Sequence, residues 1–171
     1  IIRIDVTGQP RLPAEINREN WGNLMTDVHL WQPVMEEICS AVGMEMNAGP
    51  VAGYPGSSAV FVVAEQAVIK LFPPIFADDF KVERAVYELL EDRVSAIPFL
   101  IAEGLYRDRI DWPFLVIQFC SGEPIRTIYD QLAPGEKIRI AQQVGMVLQT
   151  VHQTAVVLTE PFTPWPDFLL H

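Results

Sequence analysis

The chain has 171 residues, of which half are hydrophobic and a fifth are charged, and its formal net charge is -10. This much apolar material can form a sizeable core, which excludes a disordered polypeptide. The acidic balance disfavours general binding to nucleic acid or to an anionic membrane, although it would suit a cationic substrate if acidic residues cluster near a cleft. We expect one compact domain, or a small lobe joined to part of another.

The two cysteines, Cys39 and Cys120, belong to no CxxC motif and to no Cys/His cluster. We therefore expect neither a disulfide framework nor a zinc site, but buried, reduced thiols in a cytoplasmic protein. No apolar stretch is long enough to span a bilayer, and the N-terminus lacks the basic and then apolar pattern of a signal peptide. Because the chain begins at Ile1 rather than Met, we expect a piece of a longer polypeptide, or its ordered part.

The first half of the chain predicts a helix followed by strands. Residues 1–25 contain several turn formers and predict an irregular extension with strand potential at Ile1–Val6. A helix is predicted to begin at Thr26–Asp27 and to end at Gly43, because apolar residues recur between them at helical spacing. The turn formers of 49–58 then precede a hairpin, whose strands are predicted at Ala59–Ala64 and Ala67–Phe72.

The second half predicts one helix, two strands and further helices, which together with the first half give an α+β arrangement. The predicted elements are a helix capped by Asp78 or Asp79 and running to about Arg93, a strand at about Phe99–Glu103, a charged turn at Gly104–Asp111, an apolar strand at Pro113–Phe119, a short helix at Ile125–Leu132, and a helix from Pro134 to near His152. In this last helix the apolar residues predicted to face inward are Ile138, Ala141, Val144, Leu148 and Val151.

Lys70 lies inside an apolar strand, and Glu83 lies at the edge of the apolar face of the next helix. A lone charge in an apolar interior costs several kcal/mol unless it is paired, as a rough magnitude. The two residues therefore predict either a structural ion pair or a pair that binds phosphate.

Four features occur in the order that protein kinases use to bind ATP. The Gly/Ser turn of Gly53–Ser58 lets backbone N–H groups approach a phosphate closely. Lys70 on the next strand can reach the same phosphates, and Glu83 can hold Lys70 extended. The apolar strand that ends at Ile117–Cys120 leaves backbone groups free to bind an adenine edge.

On these features the chain resembles the aminoglycoside phosphotransferase family of kinase-like small-molecule kinases. The resemblance extends from the helix near Thr26 to the last residues and is clearest between Val51 and His152. The segments that carry it are Ser57–Val63, Val68–Leu71, Glu83 with Leu89–Leu90, Phe114–Ile125 and Val147–His152.

The resemblance implies a protein-kinase-like N-terminal lobe, with an antiparallel sheet of about five strands and one main helix. A helix would precede this lobe, and helices of an incomplete C-terminal lobe would follow it. The implied domains are an N-terminal extension at 1–25, a nucleotide-binding lobe at 26–120, and the hinge exit with the first C-lobe helices at 121–171.

The resemblance also implies the residues that would bind ATP. Lys70 would hold the α- and β-phosphates, and Glu83 would orient Lys70. The remaining contacts would be a phosphate-covering turn at Gly56, Ser57 and Ser58, apolar contacts to adenine from Val68 and Ile117, and hydrogen bonds to its edge from the Gln118 carbonyl and the Cys120 N–H.

The family's catalytic groups are not recognisable in this sequence. The family needs a His-Gly-Asp type of loop and a further Asp that holds Mg²⁺, but no histidine in the chain has an Asp two residues later. We therefore predict no catalytic residue and no metal ligand in this chain, and expect the Mg²⁺ ligands beyond residue 171. The predicted function is the ATP-binding portion of an enzyme that moves the γ-phosphate to a small-molecule hydroxyl, inactive alone.

Two other interpretations stay open. The chain could be a non-catalytic, kinase-like regulatory module that binds a nucleotide or a protein. It could also be an unrelated α+β domain in which Lys70 and Glu83 form only a structural pair. The sequence predicts neither the acceptor substrate nor the oligomeric state.

Overall fold

A computed structural model of the protein describes residues 1–7, 9–54 and 56–154. The helices in this part of the chain are α1 (Arg18–Leu24), α2 (Val28–Ala41), α3 (Ala77–Leu90), α4 (Ile125–Ile128) and α5 (Pro134–Gln153). The strands are β1 (Ile2–Asp5), β2 (Val51–Ala52), β3 (Ala59–Val63), β4 (Ala67–Leu71), β5 (Leu100–Arg107) and β6 (Asp111–Gln118). None of the helices described combines the length and the apolar composition needed to cross a membrane.

The strands form a single sheet in the order β1-β5-β6-β4-β3-β2. All neighbours are antiparallel except β1, which pairs in parallel with β5, from Ile2 opposite Gly104 to Asp5 opposite Arg107. The predicted α+β class and kinase-like lobe are confirmed. The sheet has six strands rather than about five, because the first residues of the chain join its edge.

The two faces of the sheet have different environments because side chains alternate along each strand. In β4, Ile69 is fully buried on one face, whereas Val68 and Lys70 are half-buried on the other. Strand β6 is covered on both faces, as its continuous apolar sequence predicted. Phe114 and Val116 join one buried cluster, and Leu115 and Ile117 join the other. One face is thus fully packed, and the opposite face leaves room for a site.

Three tryptophans fill the packed face, where α2 covers the sheet. The ring centroids of Trp31 and Trp112 lie 5.5 Å apart, and those of Trp21 and Trp31 lie 6.1 Å apart, both nearly edge to face. The indole N–H of Trp31 donates to the Leu24 carbonyl at 2.7 Å. Such aromatic pairs add to the apolar area that the core buries, and so fix α1 and α2 against the sheet.

The expectation of an irregular segment over residues 1–25 is wrong in one part, because helix α1 forms there. The side chain of Asn17 accepts hydrogen bonds from the backbone N–H groups of Glu19 and Asn20, and the Asn20 side chain accepts from the Asn17 N–H. This reciprocal cap and the burial of Trp21 stabilise a helix too short to show a clear apolar period.

Helix α3 packs on the other face through Tyr87, against Phe72, Leu115 and Ile117. The predicted caps are wrong, because the helix begins at Ala77, and both Asp78 and Asp79 lie within its first turn. Negative charge is still favourable there, next to the free N–H groups of the helix start. The helix ends at Leu90, three residues before the predicted end.

The predicted turn at Gly104–Asp111 is too long, because strands β5 and β6 extend through most of it. Only residues 108–110 connect the two strands. The Asp108 carboxylate accepts hydrogen bonds from the backbone N–H groups of Arg11 and Leu12, at 2.8 and 2.5 Å. Asp108, one of the charged residues that predicted a loop, therefore anchors the N-terminal segment to the connection between β5 and β6.

Helices α4 and α5 confirm the two helices predicted after the hinge, but the predicted inward face of α5 is wrong. Ile138, Val144 and Leu148 are 60%, 52% and 50% exposed. Helical spacing identifies an apolar stripe, whereas it carries no information on what covers that stripe.

Candidate functional site

Lys70 and Glu83 form an ion pair between β4 and α3. The ammonium nitrogen Nζ of Lys70 lies 2.5 Å from Oε1 and 2.6 Å from Oε2 of Glu83. The side chains are 21% and 26% exposed, so both charges remain in reach of solvent. A ligand can therefore contact Lys70 while the ion pair with Glu83 stays formed.

A cleft of about 660 Å³ lies beside this pair, on the half-buried face of the sheet. Its walls come from β2, β3, β4 and the segment that follows β6. The lining residues are Ala52, Gly53, Tyr54, Val60, Val62, Val68, Lys70, Pro98, Ile117, Gln118, Phe119 and Cys120. A mostly apolar cleft with one cation at its side is typical of a small-molecule site.

Five of the nine residues expected to contact ATP line this cleft, namely Val68, Lys70, Ile117, Gln118 and Cys120. Glu83 is outside the lining and reaches the site through Lys70. The turn residues Gly56, Ser57 and Ser58 are also outside the lining, and the Ser58 side chain is buried, at 3% exposure. The binding roles of all nine residues remain predictions.

Gln118 ends β6, Cys120 follows two residues later, and both residues line the cleft. The N–H of Gln118 donates to the Phe99 carbonyl at 3.0 Å, and the N–H of Phe119 donates to the Gln66 carbonyl at 3.1 Å. The Cys120 N–H makes no backbone hydrogen bond within the described part of the chain, and the Gln118 carbonyl is the acceptor expected beside it. A planar base with one donor and one acceptor on its edge could pair with these two groups.

Some cleft residues were not among the predicted ATP contacts, although Gly53 belongs to the predicted Gly/Ser turn. Val60 and Val62 were predictable in principle, because alternation on β3 puts them on the same face as Val68. Gly53 lies against β3, where its N–H donates to the Val60 carbonyl at 2.7 Å. A Cβ atom at Gly53 would lie 2.8 Å from Cγ1 of Val60, so only glycine fits without displacing the strand.

A second groove, of about 580 Å³, lies between α3 and β5, but its charges already neutralise one another. Arg84 pairs with Glu88 at 2.6 Å and also with Glu103, whose side chain is 15% exposed. The hydrogen bond from Arg84 to Glu103 raises the pKa of the guanidinium further. We therefore place the candidate site in the cleft beside Lys70.

No metal site can be built from the residues that the structure describes. They contain no group of three or more His, Cys, Asp or Glu side chains placed to hold an ion. Because Mg²⁺ at a nucleotide is usually bound by one or two carboxylates together with phosphates and water, the Mg²⁺ that the resemblance implies remains a prediction. The cleft itself can contact a ligand through its side chains and backbone groups.

A family model described as the phosphotransferase enzyme family matches residues 53–170, which is more than half of the chain. The matched range contains the Lys70–Glu83 pair and almost the whole cleft lining. The chain belongs to the phosphotransferase enzyme family, whose chemistry is kinase-like phosphotransfer. A search of curated proteins finds no match to this chain.

Proposed function

We propose that this chain binds ATP in the cleft beside Lys70, as the nucleotide-binding portion of an enzyme that transfers the γ-phosphoryl group to a small-molecule hydroxyl. The observation that carries the proposal is the Lys70–Glu83 ion pair at the side of a cleft that Gln118 and Cys120 also line. The sheet and the residues that directly follow β6 thus supply a cation for the phosphates and hydrogen-bonding groups for the base.

Each group has a defined part in this proposal. Lys70 offsets the negative charge of the phosphates, and Glu83 keeps the ammonium group extended toward them. Val68 and Ile117 present apolar surface to the base. Bound ATP supplies the phosphoryl group, and the chain contributes positioning and charge stabilisation, which are the main terms in such catalysis.

The proposal for these 171 residues is binding without turnover. No His-x-Asp triplet occurs in the sequence, and the described residues hold no metal cluster. We propose that phosphoryl transfer requires a base and metal ligands outside these residues. The net charge of -10 supports a small-molecule partner over nucleic acid or an anionic membrane. We propose a cytoplasmic location because both cysteines are free thiols, although Cys39 is buried as expected whereas Cys120 is exposed.

The test is a titration of the chain with ATP and Mg²⁺, followed by calorimetry, for the wild type, Lys70→Met and Lys81→Met. Lys81 is the matched control, because it pairs with Asp78 at 2.7 Å on the surface of α3 and is 61% exposed. We expect Lys70→Met to weaken ATP binding at least tenfold, roughly the value of one charge-assisted contact. Lys81→Met should bind as the wild type does.

A structural role for Lys70 would give a different result. The pair is about three quarters buried, so its loss should cost roughly 1–2 kcal/mol of folding free energy, less than the 3–5 kcal/mol of a fully buried pair. Lower stability with unchanged ATP affinity would contradict the proposal, as would a wild-type chain that binds no ATP.

A further inference from the structure

Tyr54 separates the cleft from a second, smaller cavity. It directly follows Gly53 at the end of β2 and lines the cleft together with Gln118 and Cys120. Tyr54 also lines a cavity of about 350 Å³, together with Pro124, Ile125 and Arg126 at the start of α4. The residue therefore belongs to the walls of both spaces.

Arg126 holds the Tyr54 ring from the side of the smaller cavity. The guanidinium carbon of Arg126 lies 4.3 Å from the centroid of the ring, well within the range of a cation–π contact. The contact joins a residue before the hinge strand to a residue after it. It thus connects the segment after β2 to α4.

A side chain as exposed as Tyr54, at 58%, would otherwise sample several rotamers. A ligand that packs against a mobile ring must restrict it on binding, which reduces affinity. Contact with the Arg126 guanidinium reduces the number of positions open to the ring before the ligand arrives. Such preorganisation affects mainly the rate at which a ligand leaves.

We infer that Arg126 is a positioning residue that holds the Tyr54 ring as the outer wall of the nucleotide cleft and so slows nucleotide dissociation. The inference rests on the proposed function and adds a retention device to the same site. It assigns Arg126 an effect through Tyr54 and not through direct attraction of the phosphates.

The test measures dissociation of a fluorescent ATP analogue by displacement with excess ATP in stopped flow. We expect dissociation from Arg126→Ala to be about two- to fivefold faster, the effect expected of one exposed cation–π contact. Dissociation from Tyr54→Ala should be at least as fast, and the double variant should be no faster than Tyr54→Ala alone. Tyr54→Phe keeps the ring and should retain the wild-type rate.

Arg139→Ala is the matched control, because it removes the same charge from an exposed position on α5. We expect it to leave dissociation unchanged, and we expect Arg126→Ala to weaken ATP and ADP by the same factor. Additive effects in the double variant, an effect of Arg139→Ala equal to that of Arg126→Ala, or a larger loss for ATP than for ADP would each overturn the inference in favour of direct charge attraction.

The two proposals fail in different ways. If the wild type binds ATP and Arg126→Ala releases it at the wild-type rate, the inference is overturned and the proposed function stands. If the wild type binds no ATP, the proposed function fails, and the retention role of Arg126 fails with it.

Discussion

At the scale of single residues, the Lys70–Glu83 pair shows how partial burial suits a charged group to function. A fully exposed pair contributes little and is screened by salt, whereas a fully buried pair is inaccessible to a ligand. With about a quarter of each side chain exposed, the pair keeps its geometry and remains reachable. The value of Glu83 then lies in the position that it gives Lys70.

Glu83→Gln tests that view, because glutamine keeps the shape of the side chain but loses its charge. We expect ATP affinity to fall by roughly three- to tenfold, less than for Lys70→Met, since the cation remains but is held less firmly. Titration calorimetry is the measurement. Glu88→Gln, on the same helix and 55% exposed, is the control and should bind normally. An equal loss in both variants would argue for a general effect of charge on α3.

Tyr87 gives a prediction on pH. Burial raises its pKa to about 12, and the nearby Glu83 carboxylate adds to the rise. In the unfolded chain the phenol loses its proton at about pH 10. The contribution of the Tyr87 phenol to the free energy of unfolding is therefore fully present below about pH 10, and it is lost as pH rises toward 12. Between about pH 9 and 11, Tyr87→Phe should lose about 1 kcal/mol less stability than the wild type.

Urea unfolding at the two pH values measures this difference. Tyr129→Phe is the control, because the Tyr129 side chain is 51% exposed. The free energy of unfolding of this variant should fall with pH as that of the wild type does. Parallel curves for Tyr87→Phe and the wild type would show that the Tyr87 phenol ionises alike in both states.

At the scale of elements, the edge strand β1 depends on one glycine. A Cβ atom at Gly104 would lie 2.5 Å from Cζ of Phe114 and would also overlap the carbonyl oxygen of Ile2. Gly104 thus allows β1 and β5 to pair while Phe114 fills the core beneath them. A larger residue must displace either the strand or the ring.

Gly104→Ala should therefore reduce the free energy of unfolding by about 1–3 kcal/mol, the usual cost of overpacking, and should release β1. Chemical denaturation gives the stability, and hydrogen exchange gives the protection of Ile2–Asp5. Gly145→Ala in α5 is the control, since nothing lies within 4 Å of the added Cβ. It should leave stability unchanged or raise it slightly. Full protection of β1 in Gly104→Ala would contradict this account.

The sequence predicted those elements whose signal is local. The hairpin of β3 and β4 and the apolar strand β6 follow from short-range patterns, and the structure confirms them. Helix α1 depends in part on the burial of Trp21 in the tryptophan cluster, and the second half of β5 pairs with β1 from the other end of the chain. No local pattern reports such contacts.

The same limit applies to the site. The pairing of Lys70 with Glu83 was predictable, because a charge in an apolar strand requires a partner. Tyr54 lies within the predicted Gly53–Ser58 turn, but its contact with Arg126 was not predictable, since Arg126 lies beyond the hinge in the sequence. Contacts between residues that lie far apart in the sequence are identified only from the structure.

At the scale of the whole molecule, the described chain combines a tightly packed sheet with a helix whose apolar face is open. Leu71 is fully buried in the core, whereas Leu148 on α5 is 50% exposed. Equal substitutions at these two sites should therefore have unequal effects. Leu71→Ala should cost about 2–5 kcal/mol and Leu148→Ala about 0.5 kcal/mol or less.

Chemical denaturation of the two variants measures this difference directly. Both substitutions remove the same atoms, so the comparison isolates the effect of packing. A cost for Leu148→Ala close to that for Leu71→Ala would mean that the exposed face of α5 is covered in solution.

The parallel pairing of β1 has a consequence for the order in which the protein is made. The first strand leaves the ribosome long before its partner, because β5 is complete only at Arg107. Until then Ile2 and Ile4 have no strand to join, and the growing chain carries them unpaired through synthesis of the hairpin and α3. Pairings so distant in sequence form late and slow the folding reaction. Completion of the sheet therefore waits for translation to pass β6, which links β5 to the rest of the sheet, and chaperones that bind nascent apolar segments have that interval in which to act.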